Sequence, residues 1–276
     1  MLHFPIEFIQ NQFKHMKNTI LILLLSSLFW SCNSSSEETE GITIPANPAA
    51  AGFNETDSDA KAIALADSVM LAMGGRDAWD NTRYIGWNFF GRRHLLWDKK
   101  EGHVRIEMLG DSTVFLVNVK DKKGKALMKG EEITEPDSLS KLMDRAEAIW
   151  INDSYWLVMP FKLKDSGVTL KYLGQDTSLN NTMAEVLELT FENIGNTPNN
   201  KYHVFIDPDT KLVMQWDYFT NATDEKPRIS GTWSDYNKYG DILLSGGRGE
   251  RGLDNIGVYE EVPQSVFTNF AERFPE

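Results

Sequence analysis

The chain has 276 residues, a net charge of -12 and a single cysteine. That length can supply a sizeable core, and the strand-rich pattern described below favours one domain over two. An acidic chain of pI about 4.9 without a basic stripe excludes a nucleic-acid binder, whose affinity rests on Lys and Arg neutralising phosphates, and one Cys excludes an internal disulfide.

The N-terminal stretch carries the first signal. From Met16 to Cys32 a basic start at Lys17 leads into an apolar run, Ile20 to Trp30, then Ser31 and Cys32. This is the layout of a secretory signal, and the run is too short to span a bilayer, which takes about 20 residues. Met16 offers a second start, and on that reading Met1 to His15 is a start-site artefact. The Leu-rich core ending in a small residue and Cys resembles the lipobox of bacterial lipoproteins, with Phe29 and Trp30 departing from the usual small residues before the cut. The resemblance implies that residues 1–31 are removed and that Cys32 is lipidated. From Asn33 to Asp57, Ser, Glu, Pro and Ala dominate without an apolar period, which predicts a flexible tether reaching roughly 25–30 Å, at about 5–6 Å times the square root of residue number. Ser34 to Glu38 also resembles the acidic surface-export signals of some lipoproteins, a solvated linker being the alternative.

A helix is predicted from Ser58 to Met73, with Ala62, Ala66, Val69, Met70 and Met73 as its stripe, Thr56 and Asp59 as a capping pair, and Gly74-Gly75 as its stop. A short turn follows over Arg76 to Asn81. The period then changes to two, predicting strands at 82–90, 92–98, 103–108, 112–119 and 125–129. With Lys99 to Gly102 as a turn, Leu95 pairs with Ile106 and Trp97 with Val104 on an apolar face. His94 then meets Glu107, Leu96 meets Arg105 and Asp98 meets His103 on a mostly polar, solvent-facing one, where Asp98 and His103 form an ion pair.

The strongest helical pattern lies mid-chain, from Ser138 to Leu163. Leu139, Leu142, Met143, Ala146, Ile149 and Trp150 recur at three-and-four spacing on one face, and the segment runs on into Tyr155 to Phe161. Further strands are predicted at 168–173, 183–191, 201–206, 212–219, 228–236, 242–245 and 256–262, with Asp207-Pro208-Asp209-Thr210 as a type I turn. With roughly a dozen short strands and two long helices the class is α+β with an antiparallel sheet, and the mid-chain helix reads as laid across its curved apolar side.

Signal, helix, meander, mid-chain helix and the later hairpin around Phe205 to Leu212 together resemble the LolA/LolB-like superfamily of periplasmic lipoprotein carriers. The chain also resembles a group of uncharacterised lipoproteins sharing Gly74-Gly75, Ala78-Trp79 and Trp97-Asp98. The carrier resemblance implies a single domain over residues 58–270, an open antiparallel half-barrel of about 10–12 strands whose concave face is covered by helices and holds acyl chains, in a lipoprotein of the Gram-negative envelope, on the outer membrane and facing periplasm or cell surface. Candidate ligand-binding residues are Trp97, Met143, Trp150, Trp156, Met159, Phe161, Met214 and Trp216, the thioethers and broad rings being suited to irregular apolar ligands.

Catalytic patterns fail. Gly247-x-Gly249-x-x-Gly252 matches a dinucleotide fingerprint, but its continuation reads as strand or loop and too little chain remains for a nucleotide unit. On the hairpin register the pairs containing His94 and His103 stand about 13 Å apart at roughly 3.3 Å per residue, beyond zinc bonds of about 2 Å; a site borrowing His203 stays as an alternative. The acid pairs Glu131-Glu132, Asp207-Asp209 and Glu260-Glu261 read as solvated charge. The expectation is therefore a tethered, non-catalytic protein with no cofactor and no metal. It binds a lipid or hydrophobic small molecule; the alternative is an adaptor with an envelope protein as partner.

Overall fold

The computed structural model describes residues 47–192 and 199–274. Cys32, the signal and most of the tether lie outside the described residues. The tether predicted to reach Asp57 is tied down earlier. Ala50 N donates to the Lys164 carbonyl, Asn54 N to that of Val168 and Asp59 N to that of Leu170, while Phe53 packs against the core. An unpaired strand edge is thereby covered.

Helix α1, Ala60–Ala72, buries Ala62, Leu65, Ala66, Val69 and Met70. Asp59 precedes it, but its carboxylate accepts from Tyr172 N at 2.9 Å and from Lys171 Nζ at 3.2 Å, so the predicted capping pair does not form. The helix stops at Gly74 and Gly75, both at positive φ (116° and 89°), where a side chain would be strained and a Gly74 Cβ would collide with the Asp241 carbonyl. The predicted turn over 76–81 is a short helix, α2 (Arg76–Asn81), because Trp79 is drawn inward and stacks on Phe161 at 4.3 Å.

The strands form two antiparallel sheets, neither closed into a barrel. A nine-stranded sheet runs β12-β13-β14-β1-β2-β3-β4-β5-β6 and a five-stranded one β11-β10-β9-β8-β7. In chain order they are β1 (Tyr84–Phe89), β2 (Arg93–Asp98), β3 (His103–Met108), β4 (Val114–Asn118), β5 (Lys123–Met128) and β6 (Glu131–Glu132). After the long helix come β7 (Val168–Thr177), β8 (Met183–Phe191), β9 (Lys201–Ile206), β10 (Val213–Phe219), β11 (Ile229–Thr232), β12 (Ser234–Tyr239), β13 (Ile242–Arg248) and β14 (Arg251–Tyr259). The count exceeds the prediction partly because the single strand expected over 228–236 divides. Buried Trp233 turns into the core and its amide donates to the Met214 carbonyl, leaving β11 in the small sheet and β12 in the large one. The glycine motif is the tip of the β13–β14 hairpin, with Gly247 paired to Gly252 and Arg248 to Arg251.

Helix α3, Pro136–Val158, starts where the Glu135 carboxylate accepts from Asp137 N and Ser138 N and Pro136 needs no donor partner. It continues as a 3-10 turn, Met159–Lys162. One continuous core joins α1, α3, the large sheet's Trp87, Leu95, Val104, Ile106 and Phe115, and the small sheet's Leu170, Leu187, Val204 and Trp216. The helices thus cover the inner faces of both sheets.

The β2–β3 register is as predicted: Leu95 faces Ile106, Trp97 faces Val104 and Leu96 faces Arg105. The opposite face, however, is not solvated. Tyr84 and Leu96 are covered by the C-terminal segment through Val262, Val266 and Phe267. Arg105 is 1% exposed; it pairs with Glu107 and donates to the carbonyls of Val266, Asn269, Phe270 and Glu272. The predicted Asp98–His103 pair does not form either. Asp98 is buried, held by Arg83 Nη2 at 3.0 Å and by the amides of Lys100 and Glu101, so its charge caps its own turn. Burial opposes that charge, but the Arg83 pair and the two amides outweigh it and keep the carboxyl below its ordinary range. Its stabilising contribution is present above the unfolded-state value and is lost as pH falls through the lowered one.

Two substitutions separate the faces. Val104→Asp places an unpaired carboxylate in the core and should unfold the domain. Arg105→Met, on the face first read as solvent-exposed, should cost about 2–4 kcal/mol in urea unfolding, since hydrogen bonds to charged groups contribute about 1.5–3 kcal/mol and do not add fully. Wild-type stability in Arg105→Met would show that the C-terminal segment is not pinned there.

Candidate functional site

The C-terminal half of α3 stands off the small sheet and leaves a cavity of about 560 Å³. Trp150, Tyr155 and Trp156 of the helix form one wall, and Phe191 of β8, Tyr202 of β9 and Trp216 of β10 form the other. Trp97 of β2 closes one end. Lys162 and Asp165 form an ion pair in the segment leading to β7, each about one-third exposed; with Ser166 they gather the charged part of the lining, while Asn152 and Ser154 add polar groups from the helix. All the aromatic residues except Trp216 are only half-buried, although they belong to the core's periphery.

Local structure explains the wall. Leu187, Leu189 and Phe191 alternate along the inner face of β8, as Tyr202, Val204 and Ile206 do along β9; the rings therefore lie at the strand ends nearest the helix's last turns. The rings also hold one another. Tyr202 stacks on Trp216 at 5.1 Å with planes 6° apart, Trp156 meets Trp216 edge-on at 4.3 Å, Phe191 meets Tyr202 edge-on at 5.6 Å, and Trp97 meets Trp150 at 5.3 Å. Burial raises both phenols, Tyr155 strongly and Tyr202 to about 12, so the wall stays uncharged at neutral pH. The Nε1 atoms of Trp150 and Trp216 and the Tyr155 hydroxyl are buried with no hydrogen-bond partner among the described residues.

Two polar ties fix the helix. Asp153 is fully buried and receives Arg93 in a fork, Nε to Oδ2 at 2.6 Å and Nη2 to Oδ1 at 2.9 Å, while Asn152 donates to Oδ1. Burial pushes the Asp153 carboxyl up, and Arg93 and Asn152 only partly offset this. Further on, Arg248 lies over the Trp233 ring at 3.4 Å and donates to the Trp156 carbonyl at 2.6 Å, one of the last-turn carbonyls that the helix cannot satisfy itself.

Of the eight predicted binding residues, Trp97, Trp150, Trp156 and Trp216 line the cavity. Met143, Met159 and Phe161 do not: they are buried in the filled core, Phe161 against Trp79. Met214 is on the opposite face of the small sheet with Ala184, Val186 and Phe205, since an irregularity in β10 between Val213 and Gln215 shifts the alternation. Tyr155, Phe191 and Tyr202 were missed, although the aromatic run containing Tyr155 and the period-two placement of the other two were visible in the sequence.

The histidines do not converge. His94 stacks on Phe274 at 3.4 Å and is pushed down to about 4, chiefly by burial; His103 lies 5.9 Å from Phe267, and His203 sits 3.2 Å from Glu188. Among the described residues no three His, Cys, Asp or Glu side chains are placed to hold a metal ion. A second hollow, about 270 Å³ at the β13–β14 hairpin, is lined by the hairpin glycines, by Asp235, Asn237 and Asp254, the last bonded to Asn88, and by Tyr239, Leu253 and Ile256. It is about half the volume of the first.

No family model matches the chain, and no curated protein matches it. Among solved structures it is similar to a DUF1329 family protein from Desulfovibrio piger, at 14% identity over 76% of this chain and 98% of the other, with a TM-score of 0.41.

The site depends on the helix staying in place, which Arg93→Met tests. At pH 7 it leaves a buried, unpaired carboxylate and should cost about 3–5 kcal/mol. Because the Asp153 carboxyl is already raised, it takes up a proton readily in acid, and the loss should shrink on going from pH 7 to pH 4.5 in matched denaturant titrations. A pH-independent loss would contradict the buried charge.

Proposed function

We propose that this protein is an envelope lipoprotein, tethered to the membrane through Cys32, that binds a lipid or other apolar small molecule between α3 and the small sheet without chemistry of its own. One observation carries the reading. A cavity of about 560 Å³, within the roughly 300–1,000 Å³ of small-molecule sites, is walled by half-buried aromatic side chains with its charged groups gathered together. The partly exposed rings retain some apolar surface that a ligand would remove from water, a gain of about 25 cal/mol per Å². The lipobox-like run ending at Cys32 supports the tether, since two or three acyl chains hold stably where one is marginal. An antiparallel sheet with helices over its concave face is also the frame that the resemblance to lipoprotein carriers implies.

Two experiments test the proposal. Solvent extraction of the purified protein followed by mass spectrometry should recover a co-purifying apolar molecule, and Trp150→Ala should reduce its yield several-fold while shifting the unfolding midpoint less. An empty wild-type extract would count against binding. Cys32→Ser should leave the signal uncleaved or release the protein from the membrane fraction; unchanged processing and retention would remove the anchor.

A further inference from the structure

The lining of the cavity also says what shape of ligand it takes, an inference that rests on the binding reading above. We infer that the occupant's apolar part is a flat, rigid ring system carrying oxygen at its edge, of the naphthoquinone class, and not a flexible acyl chain.

Thioether side chains are absent from the wall. Met143 and Met159, the unbranched thioethers able to follow an irregular chain, are 2% and 0% exposed and belong to the filled core. In their place stand mostly rings in contact with other rings, with Ile151, Val158 and Val168 as the aliphatic part of the lining. Tyr202 meets Trp216 face-on and Phe191 edge-on, Trp216 meets Trp156 edge-on, and Trp150 meets Trp97. The wall therefore presents ring planes and ring edges over most of its apolar surface.

Such a wall treats the two ligand types differently. An acyl chain gains burial but loses rotamer freedom as it is ordered against the wall. A flat ring is already of fixed shape, and it adds offset-stacked or edge-to-face contacts that a saturated chain cannot make. The polar lining suits an oxygen at the ring's edge. The Lys162 ammonium has three N–H donors, and its pairing with Asp165 leaves donors for a carbonyl, with the Ser166 hydroxyl lining the same cavity. Because Lys162 is already paired with Asp165, a neutral acceptor fits there without an unbalanced charge.

Equilibrium dialysis of the purified protein against 2-methyl-1,4-naphthoquinone and against undecanoate, two probes of equal carbon number, tests the inference. The quinone should bind at least tenfold more tightly. Phe191→Leu and Tyr202→Leu, made separately, should each shrink that ratio several-fold while leaving undecanoate affinity within about twofold. A ratio below tenfold, or one unmoved in whichever variant folds, overturns the flat-ring inference and leaves the apolar-binder reading standing. Binding of neither probe overturns both.

Discussion

The fork between Arg93 and Asp153 is the interaction on which the architecture turns. A helix laid over the open side of a twisted sheet normally holds its position by burying an apolar face, and the N-terminal half of α3 does so with Met143 and Ala146. The C-terminal half buries Leu157 and Val158 in the same core, while its rings on another sector face a gap. There the position is also fixed by a buried carboxylate with a bidentate partner on β2, and then by Arg248 on β13 taking the Trp156 carbonyl. A buried pair of this kind adds little net stability over an apolar substitute, but it fixes one geometry, and breaking one side of it is costly. Trp150, Tyr155 and Trp156 occupy the stretch around these two ties. The helix is fastened along its length while one sector of its surface is left free to form a cavity wall.

The remainder of the fold supplies the rigidity this requires. The middle strands of the large sheet, β1 to β3, are covered on both sides: the inner face by the core that α3 shares, the outer by the C-terminal segment that Arg105 pins through main-chain carbonyls. An antiparallel sheet commonly leaves one face to water. Here the second layer holds β2 and β3 from behind, and β2 carries both Arg93 and Trp97. The small sheet contributes its inner face to the same core and its last inward rings, Phe191 and Tyr202, to the cavity. Part of the concave interior is therefore filled, under α1 and the first half of α3, and part is open.

How far the sequence revealed this depends on the kind of signal. The β2–β3 register was legible because a turn of fixed length and an alternating apolar face leave one consistent pairing. What lay behind that hairpin was not legible: Arg105 reads as an exposed cation in any alternation pattern, and its acceptors are backbone groups more than 160 positions away that carry no side-chain signature. The helix itself was visible from its period, yet the period could not say which sector met the core and which met a gap, so Met143, Met159 and Phe161 were grouped with Trp150 and Trp156. Met214 was misplaced by an irregularity in β10 that reverses the face of one residue and that composition does not encode. Phe191 and Tyr202 were readable as inward positions, but the cavity joins elements distant in sequence, and only the folded chain sets them opposite Tyr155.

The central claim is that the space between the last turns of α3 and the small sheet is occupied by an apolar ligand in the working protein. Amide hydrogen exchange on protein purified from its native membrane, before and after solvent delipidation, tests this most directly. Delipidation should accelerate exchange at least tenfold in 150–158 and around Phe191 and Tyr202, and leave β2 to β5 unchanged. Identical exchange in both samples, or a change confined to the C-terminal segment 260–274, would contradict the account.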